Sequence, residues 1–440
     1  MIEAPRGELL RAPLFHTPRN PFRDSGALEC IADGGLLVQD GRIAACSDYS
    51  SLRGEHPDVP ARDLRGGFLL PGFVDTHIHF PQLRVLGALG RSLLDWLEDC
   101  ALPEEARMAD HAYACRVARE FVEALVSNGT TTALVFGAHF APATAALFEA
   151  AEAAGLRIAA GQVLSDRRLL PELHQTPERA YRESKLLIER FHRRGRLTYA
   201  VTPRFALSAS EAMLEVCQTL LAEHAGLVLQ THLNENVDEI AEVKRLFPWA
   251  ADYLAVYERF GLSRSGAVMA HDVHPTDSEL ERLAAARTAV AHCPSSNAAL
   301  GSGLFPMKRH ITAGVHCTLG TDVGGGTGFG MLKEGLQAYL LQRVTPDGMR
   351  LDAGHLLYLA TLAGAEALGL GDETGDFRSG KSADFVYLRP PDASALAAVL
   401  EREHTPEQTL AAIFTLAGAE SVREVRVAGS VVYSRLDDDS

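Results

Sequence analysis

Between residues 68 and 321 the chain alternates short apolar runs with amphipathic stretches. The runs at 68–77, 131–137, 157–164, 197–205, 227–233, 267–272, 289–293 and 315–321 are largely apolar. They read as strands buried on both faces. The stretches at 144–155, 177–194, 209–225, 236–260 and 277–287 read as amphipathic helices, the last opened by Asp277, Ser278 and Glu279. Eight such alternations predict an α/β fold of the (β/α)8 TIM-like barrel type. A doubly wound open sheet is the alternative, but no GxGxxG follows an early strand to favour it. The glycine-rich Gly324 to Gly328 lacks the Lys-Ser/Thr of a phosphate-binding loop.

The two ends follow another pattern. Leu36 to Gln39 and Arg42 to Ala45 flank Asp40-Gly41, a two-residue hairpin signal. Ala383 to Leu388 reads as a strand, and Val422 to Tyr433 as a hairpin around Ala428-Gly429. Residues 1–67 and 381–440 are therefore expected to build one small β-sandwich-like domain. Residues 68–380 are expected to form the catalytic barrel.

With 440 residues, 47% of them hydrophobic, the chain can bury a large core. Its net charge of −15, without any run of Lys and Arg, argues against a nucleic acid or an anionic membrane as partner. The cysteines at 30, 46, 100, 115, 217, 293 and 317 are scattered and show no CxxC spacing. They read as reduced thiols of a cytoplasmic protein. Met1 to Phe15 carries Glu3 and Glu8 and lacks the apolar core of a signal peptide, and no run approaches a membrane span.

In such a barrel, chemistry belongs at the C-terminal ends of the strands. The first strand ends in His77 and His79, two residues apart, so both imidazoles can reach one ion from one side of an extended chain. His232 and Glu235 follow the fifth strand, His271 the sixth and Asp322 the eighth. Any of these histidines alone would more often be a satisfied core residue. Their recurrence at one end of successive strands points to a metal site. His292 and Cys293 are read as shaping the seventh strand's loop. His139 has no assigned role, and Asn234 and Asp272 flank the predicted ligands, where they could tune the hydrogen bonds around them.

HxH on strand 1, His on strands 5 and 6 and Asp on strand 8 form a pattern that resembles the amidohydrolase superfamily. The blocks PGFVDTHIHFPQ (71–82), LLDWL (93–97), NGTTTALVFG (128–137), VTPRFALS (201–208), THLNENVDEI (231–240), AHCPSSN (291–297), LGSGLF (300–305) and LGTDVGGGTGF (319–329) resemble its guanine deaminases. Dinuclear members carry a carboxylated lysine after strand 4. Leu197 to Ser210 contains no lysine, which favours a single ion. The resemblance implies one Zn2+ per chain held by His77, His79, His232 and Asp322, and these donors also admit iron.

It further implies hydrolytic deamination of guanine at C2 to xanthine and ammonia by a metal-activated water. Glu235, His271 and Asp322 would be catalytic. Gln82, Arg204, Phe205, His232 and Glu235 would bind the base, with Arg204 facing its adjacent O6 and N7 acceptors. Trp96 either closes the pocket or packs beneath it. A homodimer is implied in the same way. Two other readings stand beside this one. The first is an amidohydrolase acting on a triazine, an oxidised purine or a pterin. The second is a barrel that has lost catalysis and serves in assembly.

Overall fold

A computed structural model describes residues 7–435. The first six and last five residues of the expected terminal β unit lie outside the described residues.

Two sheets organise the chain. The larger closes into the barrel. Its strands are β1 (Phe73–His79), β2 (Thr130–Phe136), β3 (Arg157–Gly161), β4 (Leu197–Pro203), β5 (Val228–Leu233), β6 (Ala267–His271), β7 (Ala289–His292) and β8 (His316–Leu319). All neighbours from β1 to β8 pair in parallel and in chain order. Between β8 and β1 the ring is nearly closed. Thr76 Oγ1 donates to the Leu319 carbonyl at 2.9 Å, and the Asp322 N–H donates to the His77 carbonyl at 2.8 Å. Gly320 allows this approach, because a Cβ there would stand 2.7 Å from His77 Cβ. Small side chains such as Ala159, Ala200, Ala270 and Ala291 fill the barrel axis.

The strand read at 68–77 is two strands. Phe68–Pro71 belongs to the other sheet, pairing antiparallel with Phe385–Leu388 and parallel with Gly7–His16. Pro71 has no N–H to continue a barrel ladder, and the Gly72 N–H still points to the Asp384 carbonyl at 3.0 Å. The barrel strand begins only at Phe73.

This second sheet is mixed. Its order runs Ser430–Ser434, Val422–Val427, Phe385–Leu388, Phe68–Pro71, Gly7–His16, Glu29–Gln39 and Arg42–Asp48. Asp40 and Gly41, with φ of 48° and 76°, make the first predicted hairpin turn, and Ala428 and Gly429, at 48° and 73°, make the other. The two turns meet: a Cβ on Gly41 would lie 2.6 Å from the Ala428 carbonyl oxygen. The expected sandwich-like unit is thus a single mixed sheet, with Leu10, Leu36, Ile43, Leu69 and Phe385 in one buried cluster.

The amphipathic stretch 236–260 is two helices, Val237–Leu246 and Tyr253–Arg259. Pro248 disfavours helical backbone at the residue before it, and Asp252 caps the second helix through the Ala255 N–H. Asn236 and Glu239 form a capping box on the first helix, and Thr276 and Glu279 form one on Asp277–Ala286. Among the described residues, no helix is long and apolar enough to cross a membrane.

Candidate metal centre and base pocket

The register of β1 aims the histidines. Val74 packs on the barrel axis, whereas Ile78 packs outward against the helices. Residues four apart would share a face in a regular strand. The ladder to β2 slips between Asp75 and Ile78, and this irregularity turns His77 and His79 inward. Asp75 fastens the bend by accepting from the His77 N–H at 3.1 Å and from Thr321 Oγ1 at 2.5 Å.

His77 and His79 bring their Nε2 atoms to 3.2 Å of one another. Asp322 Oδ1 stands 3.3 Å from the first and 3.2 Å from the second. His232 offers its ligand atom within 4.8 Å of both. Its Nδ1 donates to the Arg204 carbonyl at 2.5 Å, which leaves the Nε2 lone pair for a cation. Burial lowers the pKa of His77 to about 3 and keeps His79 and His232 below the ordinary imidazole range, so all three are neutral ligands. Three neutral nitrogens and one carboxylate oxygen converging on one point fit a single divalent ion with a position left for water.

Asn234, His271 and Asp322 adopt positive φ of 48°, 74° and 48°. These left-handed residues mark the ends of β5, β6 and β8, a departure that clusters at functional sites. His271 donates from Nδ1 to Asn297 Oδ1 at 2.9 Å, and its Nε2 has no hydrogen-bond partner. That bare nitrogen lies 3.5 Å from Glu235 Oε2 and 4.0 Å from Asp322 Oδ2. Glu235 accepts from Ser302 Oγ at 3.1 Å. Burial, reinforced by the charge of Asp322, pushes its carboxyl up to about 8. A carboxyl so placed holds a proton at neutral pH.

Beside these groups lies a narrow cleft. Gln82, Arg204, Phe205 and Glu235 line it together with His79 and Asp322. Trp96, 4% exposed, forms part of the wall with Leu93 and Leu97. The structure therefore brings all the predicted site residues together, with His77 and His271 packed behind those that line the cleft.

The Amidohydrolase family model matches residues 68–432. A probable guanine deaminase of Deinococcus radiodurans is 56% identical over 97% of this chain and 99% of its own length. The chain belongs to the guanine deaminase branch of the amidohydrolase family. Two solved structures agree with that placement. Escherichia coli guanine deaminase superposes with a TM-score of 0.94 at 41% identity, over 98% of this chain and all of the other. Guanine deaminase from C. acetobutylicum, with guanine bound in its active site, gives 0.90 at 26% identity, over 97% of this chain and all of the other.

One residue of this amidohydrolase site, Glu105, has no signal in the sequence. Glu105 lies in Leu102–Ala106, inside a helical stretch that carries Trp96 and Leu97 over the barrel mouth. Its partners Gln82, His139 and Arg204 come from three other segments, so no spacing betrays it. Ser302 was within reach, since it sits in the LGSGLF block. Cys293, set aside as a loop residue, lies within 4.8 Å of His77 and His271 through their ligand atoms. Burial raises its thiol pKa far above the usual range, so it remains a protonated packing group. His292 stacks on Phe305 with ring centres 4.4 Å apart.

Asn234 and Asp272 join in one buried network. Asn234 donates to Asp272 Oδ1 at 2.9 Å, and Asp272 Oδ2 meets His310 Nε2 at 2.8 Å. This network ties the loops that present Glu235 and His271.

Proposed function

We propose that the protein deaminates guanine at C2, giving xanthine and ammonia, with one zinc ion held by His77, His79, His232 and Asp322. The observation that carries the reading is the buried, donor-rich wall of Arg204 and Gln82, which lines one cleft with the His–Asp cluster. A divalent ion bound there supplies a water acidified enough to attack an amidine-like carbon near neutral pH.

The side chains do the rest. Arg204 donates to O6 and N7, and Gln82 to another edge of the ring, which places C2 toward the His–Asp cluster. Phe205 offers its ring face to the base. Glu235 gives its proton to N3 as the new C–O bond forms, then carries protons to the departing amine. Asp322 accepts the proton of the attacking water. His271 accepts a hydrogen bond at Nε2 and so orients that water. Adenine would bring an amine donor against Arg204 and leave a buried guanidinium without an acceptor, which is costly.

Strand pairing supports two units, the terminal stretches 1–67 and 381–440 with Phe68–Pro71 added, and the barrel up to about residue 380. Resemblance to guanine deaminases supports a homodimer. It also supports a cytoplasmic location, with which the seven unbridged cysteines are consistent.

Ammonia release from guanine, adenine, cytosine and ammeline tests the reading. Metal-replete protein is expected to act on guanine and to leave the others nearly untouched. Preference for ammeline would transfer the site to triazine chemistry. Arg204→Lys keeps the positive charge beside Glu105 but loses the planar fork. It is expected to lower kcat/KM for guanine by about 10²–10⁴-fold, the worth of two charged hydrogen bonds, while metal content holds. Unchanged kcat/KM would remove Arg204 from base recognition.

A further inference from the structure

The cation that faces the base is already spoken for on its other side. Arg204 Nη1 donates to both oxygens of Glu105, at 2.8 and 2.6 Å. Gln82 Nε2 donates to Glu105 Oε1 at 2.7 Å, and Gln82 Oε1 accepts from the Gly324 N–H at 3.2 Å. His139 Nδ1 stands 3.2 Å from Glu105 Oε2, and its Nε2 lies 2.8 Å from Ser165 Oγ. Glu105 and Arg204 are only 2% and 3% exposed. The Nε and Nη2 hydrogens of Arg204 have no partner among the described residues, and Arg204 lines the cleft.

Two consequences follow from the chemistry of a carboxylate. It accepts from Arg204 and from Gln82, and an acceptor-only group suits both. An amide at 105 would have to aim its own NH2 at one of them. The carboxylate therefore sets which edge of Arg204 and which hydrogens of Gln82 reach the base. It also cancels the guanidinium charge. In a buried site the sign of the net charge governs which ligands enter. Replacing the 2-amino group of guanine with a carbonyl makes the product a stronger acid than the substrate, so xanthine gives up a ring proton more readily. A bare guanidinium would hold that anion.

We propose that Glu105 is a positioning residue that fixes the donors of Arg204 and Gln82 and offsets the guanidinium charge, so that the site takes a neutral purine and releases an anionic one. The proposal rests on the guanine reading above. His139, 3.2 Å from Glu105 Oε2, and Ser165, 2.8 Å from the other ring nitrogen, complete the surroundings of the carboxylate.

The test is inhibition of guanine turnover by xanthine and by hypoxanthine, at a mildly alkaline pH where xanthine is mostly an anion and hypoxanthine mostly neutral. Both ligands keep the six-oxo edge. Wild-type protein is expected to bind hypoxanthine at least as well as xanthine. Glu105→Gln is expected to raise KM for guanine about 10–100-fold, more than kcat falls. It is also expected to tighten xanthine relative to hypoxanthine by about tenfold or more. Glu105→Asp keeps the charge and loses the reach, so KM should rise while the inhibitor ratio stays at the wild-type value. Metal content is measured on the same samples. A wild-type preference for the anion, or an inhibitor ratio that does not move in Glu105→Gln, overturns the proposal. If Glu105→Gln does not fold, the wild-type ratio and Glu105→Asp still decide it. Absence of guanine turnover in the wild type is a separate result, which overturns the function and not this inference alone.

Discussion

Glu235→Gln is expected to keep its metal and lose about 10²–10⁴-fold in kcat, the usual worth of a positioned general acid–base. The substitution changes almost nothing in volume. Ser302 Oγ, which donates to Glu235 Oε1 at 3.1 Å, can donate equally to an amide oxygen. His271 Nε2, 3.5 Å from Oε2, would face the amide NH2. What disappears is a proton that can be given and taken back. The wild-type carboxyl sits at about 8 through burial first and the charge of Asp322 second. It therefore carries that proton at neutral pH, where an ordinary carboxylate would not. An amide cannot pass it to N3 of the base. Elemental analysis beside steady-state kinetics separates the two effects. Near-normal turnover in the variant would take Glu235 out of the chemistry.

His77→Ala is expected to lose both metal and activity. His77 is the hub of the cluster, with ring centres 4.9 Å from His79, 4.8 Å from His232 and 5.2 Å from His271. Its Nε2 lies close to the donor atoms of both His79 and Asp322. Removing it leaves three of the four proposed ligands and opens a gap where β1 meets β8. Metal per chain should fall from one to near zero, with zinc the element lost. Full occupancy in the variant would overturn the ligand set, and iron in the wild type would change the metal while keeping the site.

Much of this was legible because barrel strands are buried on both faces and end at one rim. The apolar runs located β2 to β8 to within three residues, and the reactive residues then fell at the ends of the runs. The hairpin turns at Asp40-Gly41 and Ala428-Gly429 were legible for a local reason: these residue pairs tolerate positive φ. The division at Gly72 was not. Phe68–Pro71 and Phe73–His79 are equally apolar, and only their partners, far away in sequence, assign them to different sheets. The inward turn of His77 and His79 depends on a slip in the ladder to β2, a property of pairing that no single run displays.

Glu105 shows the same limit at the site. The sequence marked the cation Arg204 and the amide Gln82, because blocks like theirs are shared with guanine deaminases. The anion that organises both sits on a separate helical stretch, among acidic neighbours at 98, 99 and 104 that look the same in sequence. Burial sets it apart from Glu98 and Asp99, which are open to solvent, and its partners set it apart from Glu104, which is also buried but pairs with Arg107 and Tyr113.

The account is tested most directly by turning over guanine in heavy-oxygen water and reading the product by mass spectrometry. Xanthine carrying one heavy oxygen at C2, formed with one ammonia per base, is the predicted result. Failure to form xanthine with metal bound, or xanthine without the label, would contradict it.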